Sequence, residues 1–399
     1  MPLTREALLR RNPKFLCYAR LLIETKAING VAVLFYLHRG VGLDQVLYLS
    51  IAWSIVSIIT EIPTGYLADK WGRKKLLILG AVLLASANVF ALFAHGFWQF
   101  VIQFALMSAA FSCSSGIEEA LLFDSLKELK EGTKMNFWNG RLASARQALK
   151  IFIPSFGAWL ASGLHEWQFS LLICIDILGS VLSLVALSRV TEPEHTESVV
   201  GEEKNGLSVF FGALRTNPEV RRLAFNKIFV FIASFLLFRA YQPAFQQAAL
   251  PGWVFPAFYV IFQSTITVAF LHLGKITKRL SSPLLIQGTA LVTGLFLVIA
   301  ALQPPKWILF IACLIGVCSA SFRDPLFSAL LNPHFESRHR AYALSHIGLL
   351  KALTDIPILL IAGAFARSGP TPLFWIGAAL CFFSVFFLRP SPVFVDSSS

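Results

Sequence analysis

Ten ionisable side chains stand inside stretches that otherwise carry little or no charge, and chemistry is most readily sought there. They are Glu24, Lys26, Arg146, Lys150, Asp176, Arg239, Arg323, Asp324, Lys351 and Asp355. Arg146 and Lys150 are four residues apart, as are Lys351 and Asp355, so on a helix each pair shares one face. A desolvated carboxyl beside a base has two uses. It can hold a permanent ion pair, or it can bind a proton when burial disfavours its charge and release it when a cation approaches. Glu24 and Asp355 are the leading candidates for proton binding. The alternative for each is a fixed bridge, Glu24 with Arg146 or Lys150 and Asp355 with Lys351. Lys26, Arg146, Lys150, Arg239, Gln242, Arg323, Asp324 and Lys351 are candidates for lining a polar cavity that takes a solute. Asp176, alone in its stretch, is expected to be a hydrogen-bonded structural group.

Other chemistries lack their residues. His272, His334, His339 and His346 show no paired metal spacing, and no nucleophile elbow, HExxH or phosphate-binding loop occurs. The six cysteines all fall in apolar segments and read as small hydrophobes, not as a disulfide framework. The expectation is no metal, no cofactor and no enzymatic activity.

The elements that must position the charged groups are membrane helices. Of 399 residues, 56% are hydrophobic and 14% charged, against roughly 45–50% and about 25% in soluble domains. Apolar runs fall near residues 15–37, 46–67, 76–95, 97–122, 138–162, 167–188, 222–246, 252–273, 283–302, 307–331, 341–366 and 371–388, each near the ~20 residues that cross a bilayer core. Residues 1–14 are polar and basic with no cleavage site following, so the first helix is expected to stay in the protein. An ionisable group at bilayer depth costs roughly 2.5–3.5 kcal/mol on insertion scales, so those that persist face a cavity or a partner.

The net charge of +12 does not point to nucleic acid, because it alternates from loop to loop. One set of loops carries Arg5, Arg10, Arg11, Lys14, Lys70, Arg73, Lys127, Lys130, Lys134, Arg215, Lys275, Lys278, Arg279 and Arg338; the other has little beyond Arg39, Lys306 and Arg367. That is the positive-inside pattern, which places both termini and the long central loop in the cytoplasm. That loop, residues 189–219, divides the chain into bundles 1–188 and 220–399. Its Glu192, Glu194, Glu197, Glu202 and Glu203 read as a solvated tether, and Leu207, Phe210, Phe211 and Leu214 as an amphipathic interfacial turn.

The two halves also resemble each other. Asn12-Pro13 and Asn217-Pro218 each read as a helix-capping Asn with Pro in the first turn, and the same offset of 205 relates Glu118-Glu119 to Arg323-Asp324 and Lys150 to Asp355.

Between spans two and three lies Gly65-Tyr66-Leu67-Ala68-Asp69-Lys70-Trp71-Gly72-Arg73-Lys74-Lys75. This loop resembles the cytoplasmic signature of the major facilitator superfamily, commonly written GxLADrxGrkxxl, and the twelve-span plan extends the likeness over the whole chain. The resemblance implies an all-α integral membrane fold with twelve transmembrane helices in two pseudo-symmetric six-helix bundles. It implies that spans one, five, seven and eleven, and to a degree four and ten, line a central cavity. It implies further that Gly65, Asp69, Gly72, Arg73 and Lys74 form a latch that holds the outward-facing state against the start of span eleven near Ala341. The stretch 118–126 resembles the cytoplasmic end of span four in many bacterial members, so Glu119 or Asp124 is expected to join that latch.

These readings converge on a secondary transporter in a bacterial inner membrane. It is expected to move a small polar, zwitterionic or anionic solute by alternating access, coupled to protons, and to work as a monomer. A proton-driven exporter of amphiphilic compounds is the alternative within the class; a solute-binding sensor without transport is the alternative outside it.

Overall fold

The structure, a computed structural model, describes residues 4–194, 212, 214–331, 334 and 340–390. The side chains of Asp69 and Arg146 and of residues 340–346 lie outside that description, as do Leu207, Phe210 and Phe211 of the expected amphipathic turn. Among the described residues there is no strand.

The first half contains α1 (Arg5–Leu9), α2 (Asn12–Ile23), a 3-10 turn at Ala27–Val31, α3 (Ala32–His38), α4 (Leu43–Trp71), α5 (Arg73–Phe93), α6 (Phe97–Ser112), α7 (Ile117–Glu128), α8 (Met135–Leu160) and α9 (Glu166–Ser188). The second contains α10 (Pro218–Gln247), α11 (Val254–Leu271), α12 (Leu273–Arg279), α13 (Ser282–Ala301), α14 (Lys306–Ser321), α15 (Asp324–Leu331), α16 (Arg340–Ala366) and α17 (Thr371–Phe387). Among the described residues, ten stretches are long and apolar enough to cross a membrane, and two shorter apolar helices, Leu149–Leu160 within α8 and Thr371–Phe387, complete the twelve expected spans. The apolar part of α8 is short because its first half carries Asn136, Asn139, Arg141 and Ser144. Outward-facing side chains such as Leu271 (78% exposed) and Trp98 (77%) require lipid, not water, as the surrounding medium.

The chain divides into two compact units. The first comprises Met1–Val41, Leu49–Ser198 and Phe255–Val260; the second comprises Gly42–Tyr48, Val199–Val254 and Ile261–Ser399. In the first, α5 packs on α6 and α9, and α2 packs on α9. In the second, α13 packs on α14 and α17, and α10 packs on α17. Counted as spans, these are contacts of three with four and six and of one with six, then of nine with ten and twelve and of seven with twelve. The repeat seen in the sequence is therefore also a repeat of packing.

Among the described residues three spans are broken, which the apolar runs did not reveal. Span one stops at Ile23, passes through Glu24, Thr25 and Lys26, and resumes in the 3-10 turn. Span four breaks between Ser112 and Ile117, and span ten between Ser321 and Asp324. Tertiary contacts make the first break. The Asp176 carboxylate, from α9, accepts the backbone N–H of Ala27 at 2.6 Å and of Ile28 at 3.4 Å, offering amide donors a partner outside the helix ladder. The Thr25 hydroxyl donates to Leu22 O at 2.5 Å. On the facing helix Gly157 is required, since a Cβ there would lie 2.1 Å from Ala27 O.

The two Asn-Pro pairs differ. Asn217 caps α10, accepting from Glu219 N at 2.9 Å and Val220 N at 3.4 Å. Asn12 is not a cap. It is the first residue of α2, following Arg11, because α1 already precedes it. Its amide instead ties three elements together: Nδ2 donates to Ser125 Oγ (2.8 Å) and Thr191 O (2.7 Å), and Oδ1 accepts from Thr191 N (2.8 Å).

Candidate functional site

The break in span one leaves Glu24 as the C-terminal cap of α2, 6% exposed. Among the described residues its ion-pair partners stand on its own span. Arg20, one turn earlier on the same face, approaches it at 3.4 Å, and Lys26 reaches its other oxygen at 3.8 Å. Arg20 also lies 3.4 Å from Glu118, in the first turn of α7 beyond the break in span four. Sequence reasoning missed Arg20, although its four-residue spacing from Glu24 was a signal that could have found it. The side chain of Arg146 is outside the described residues, and Lys150 is half-buried on α8.

In the second unit, Lys351 pairs with Asp355 at 2.5 Å along α16, and its ammonium sits 4.6 Å from the centre of the Phe231 ring. Asp355 is buried. Arg239 stacks over Phe235 at 4.8 Å, and buried Gln242 donates to the Tyr241 hydroxyl at 2.9 Å. Arg323 is directed into the interior of the unit. It donates to Asn226 Oδ1 and lies over the Phe327 ring at 5.1 Å, while Asn226 Nδ2 donates to Ser384 O and Leu388 O at the end of α17. Asp324 is separated from this contact, exposed at the start of α15 with Lys227 at 3.4 Å.

The signature loop is built around the N-terminus of α5. Gly65 lies within α4. Gly72 precedes α5 with φ +98°, a conformation that suits glycine. A Cβ there would also come within 3.1 Å of the Glu192 carboxylate. Glu192 accepts the backbone N–H of Arg73 and of Lys74, each at 2.8 Å, and so satisfies two of the orphan donors at a positively polarised helix end. The solvated-tether reading of Glu192 is therefore corrected: a carboxylate next to an uncapped helix finds a better partner than water. Glu194, 80% exposed, keeps a solvated side chain although its N–H donates to Glu128 at 2.7 Å.

The Arg73 guanidinium pairs with Asp124 and donates to Ala120 O at 2.7 Å, joining the start of span three to the end of span four. Glu119 points outward and takes no part in this pair. Beside it, Arg10 meets Glu131 at 2.7 Å and Arg5 meets Glu128 at 2.7 Å. The Lys134 ammonium, with Arg10, holds the Glu131 carboxyl below its ordinary range.

With this geometry described, comparison with known proteins becomes informative. A family model described as Major Facilitator Superfamily matches residues 15–353. The chain belongs to that superfamily. Macrolide efflux protein A of Streptococcus pyogenes is 24% identical over 357 residues, 85% of each chain. A transporter called BU466 from Buchnera aphidicola is 23% identical over 76% of this chain and 75% of its own. Among solved structures, the nucleoside transporter NupG superposes with a TM-score of 0.73 over 95% of this chain and 98% of its own, at 12% identity. A D-xylose-proton symporter superposes with a TM-score of 0.67 over 94% of this chain and 96% of its own, at 15% identity. This superfamily member is thus an integral membrane protein with the fold of membrane transporters.

Proposed function

We propose that this chain is a secondary active transporter that moves a small polar, zwitterionic or anionic organic solute by alternating access, coupled to protons. The observation that carries the reading is Glu24, a carboxylate 6% exposed at a break in a membrane-spanning helix, with Arg20 and Lys26 as ion-pair partners. Burying a carboxylate at that depth is costly, and a cation within reach makes the cost depend on protonation state. Asp355 beside Lys351 is the second candidate carboxylate, in the other unit. A broken helix in a membrane span is the arrangement transporters use to receive polar solutes. Gly65, Asp69, Gly72, Arg73, Lys74 and Asp124 serve as the conformational latch on the cytoplasmic side, with Glu192 fixing the helix end on which it turns. Lys26, Arg146, Lys150, Arg239, Gln242 and Lys351 are the proposed lining of the solute path. The cell inner membrane, with both termini cytoplasmic, is the proposed location.

Export of an amphiphilic compound is the second reading, favoured by the likeness to macrolide efflux protein A. Reconstitution separates the two. Candidate solutes are ranked by ligand-induced thermal shift, with amino acids, small carboxylic acids and a macrolide as probes, and the best is taken into proteoliposomes under an imposed pH gradient. Gradient-driven accumulation is expected, with Glu24→Gln and Asp355→Asn losing accumulation but keeping solute exchange. Full accumulation in both variants would place the coupling group elsewhere. Saturable binding with no flux in the unmodified protein would favour a sensor.

A further inference from the structure

At the basic end of the first unit, the start of α2, the end of α7, the 3-10 turn Gly132–Lys134 and the start of α8 enclose a cavity of about 400 Å³, within the roughly 300–1,000 Å³ of small-ligand pockets. Its walls are of two kinds. Pro13, Leu126 and Leu129 are apolar, and beside them Phe137 and Trp138 meet edge to face with ring centres 5.3 Å apart. Arg10 and Lys134 supply charge, reaching Glu131 at 2.7 Å and 2.9 Å.

The same two chemistries run along α8. Lys134, its N-cap residue, is followed by Phe137, Trp138 and Arg141 at i+3, i+4 and i+7, the spacing of one helix face. The Arg141 guanidinium lies 5.4 Å from the centre of the Phe137 ring and 5.9 Å from that of Trp138. A stripe of base, two aromatics and base at the start of a membrane span belongs at the headgroup level of a bilayer, where rings and cationic side chains are both well solvated. Phe137, 59% exposed, would be poorly placed in water.

Positive charge is in excess there. Glu131 is the acid among the lining residues, and Lys134 holds its carboxyl below the ordinary range, so at neutral pH it offsets one of the two bases that reach it. Glu6 takes a share of Arg10 at 2.9 Å. Arg141 rests against rings and, among the described residues, pairs with no carboxylate. Arg11, Lys14 and Lys130, chain neighbours of the lining residues, are exposed and add to the field. A soluble anion would use the bases and leave the rings in water; a lipid with a charged head uses both.

We propose that this cavity binds the headgroup of an anionic phospholipid. Arg10 and Lys134 take the phosphate, Arg141 supports its charge from the next turns of α8, and the glycerol backbone and first acyl carbons lie along Phe137 and Trp138. Glu131 is the internal counterion that the phosphate displaces. The site is independent of the transported solute and of proton coupling.

The test is native mass spectrometry of protein extracted from vesicles that hold equal amounts of phosphatidylglycerol and phosphatidylcholine. The unmodified protein is expected to retain phosphatidylglycerol in preference, and Lys134→Gln combined with Arg141→Gln to lose about fivefold of that preference per base removed. Glu131→Gln, which removes the competing carboxylate, is expected to raise it. Lys275→Gln combined with Lys278→Gln removes the same charge from exposed positions of α12 in the second unit and is expected to leave it unchanged. Equal retention of the two lipids by the unmodified protein overturns the proposal, as does an undiminished preference in the Lys134 and Arg141 variant or an equal loss in the α12 variant. Complete displacement of phosphatidylglycerol by soluble glycerol 3-phosphate would assign the cavity to a free phosphoester and overturn the lipid as occupant. If the Lys134 and Arg141 variant cannot be purified folded, Glu131→Gln decides: retention no greater than that of the unmodified protein overturns the proposal.

Discussion

The Lys351 ammonium lies 2.5 Å from the Asp355 carboxylate and 4.6 Å from the centre of the Phe231 ring. Removing one member of a desolvated pair leaves the other with a charge the site was built to offset, so the single loss exceeds the net worth of the pair. Lys351 is 32% exposed, which moderates that cost. Lys351→Met and Asp355→Asn are each expected to destabilise the purified protein by about 1–3 kcal/mol, and the double variant by less than their sum. Chemical unfolding of the four proteins measures this, and strictly additive losses would mean that the two side chains do not interact. The pair was legible because the two residues stand four apart on an apolar helix. Arg20 stands at the same four-residue spacing from Glu24, on a shared helix face, and carries the same signal. Arg323 was expected at a solute cavity from its depth alone, and depth does not say which way a side chain turns. Its guanidinium goes to Asn226, a neutral residue in another span that no charge pattern marks.

Helix existence and order were legible from runs of apolar residues, since a bilayer demands length and apolarity and little else. The breaks were not. Nothing in the stretch from Leu21 to Lys26 is a proline or glycine, and the interruption follows from Asp176 reaching across from α9 to take amides at Ala27 and Ile28. The capping of α5 was hidden for the same reason, as Glu192 is distant in sequence from the helix end it satisfies. Glu192 accepts two backbone N–H groups there, so Glu192→Ala is expected to cost about 1–2 kcal/mol, combining loss of a cap with loss of a favourable helix-end charge. Hydrogen exchange localises the effect: amides at Arg73 and Lys74 should lose protection while those near Phe93, at the far end of α5, stay unchanged. Equal protection at both ends of α5 in the variant would refute the capping role.

For the molecule as a whole, the repeat was visible as a constant offset and reappears as equivalent packing of spans one, three, four and six with seven, nine, ten and twelve. The proposed orientation rests on charge. Lysines and arginines crowd one set of loops, and two of the three on the other side, Arg39 and Arg367, are paired locally. Arg39, 3% exposed at its side chain, pairs with Glu166 and donates to Ala94 O at 2.9 Å and Leu92 O at 3.1 Å, while Arg367 lies 3.3 Å from Asp44. Such pairing leaves the outer loops with little uncompensated positive charge to oppose the inward bias. A cysteine placed at exposed Lys130 should therefore react with a membrane-impermeant maleimide only in inverted vesicles, and one at exposed Gln303 only in right-side-out vesicles. The unmodified chain is the control, because its one exposed cysteine, Cys174, lies within membrane-spanning α9 and is expected to be covered by lipid. Labelling of Lys130→Cys from the outside would reverse the topology, and with it the side on which Arg73, Asp124 and Glu192 could act as a latch.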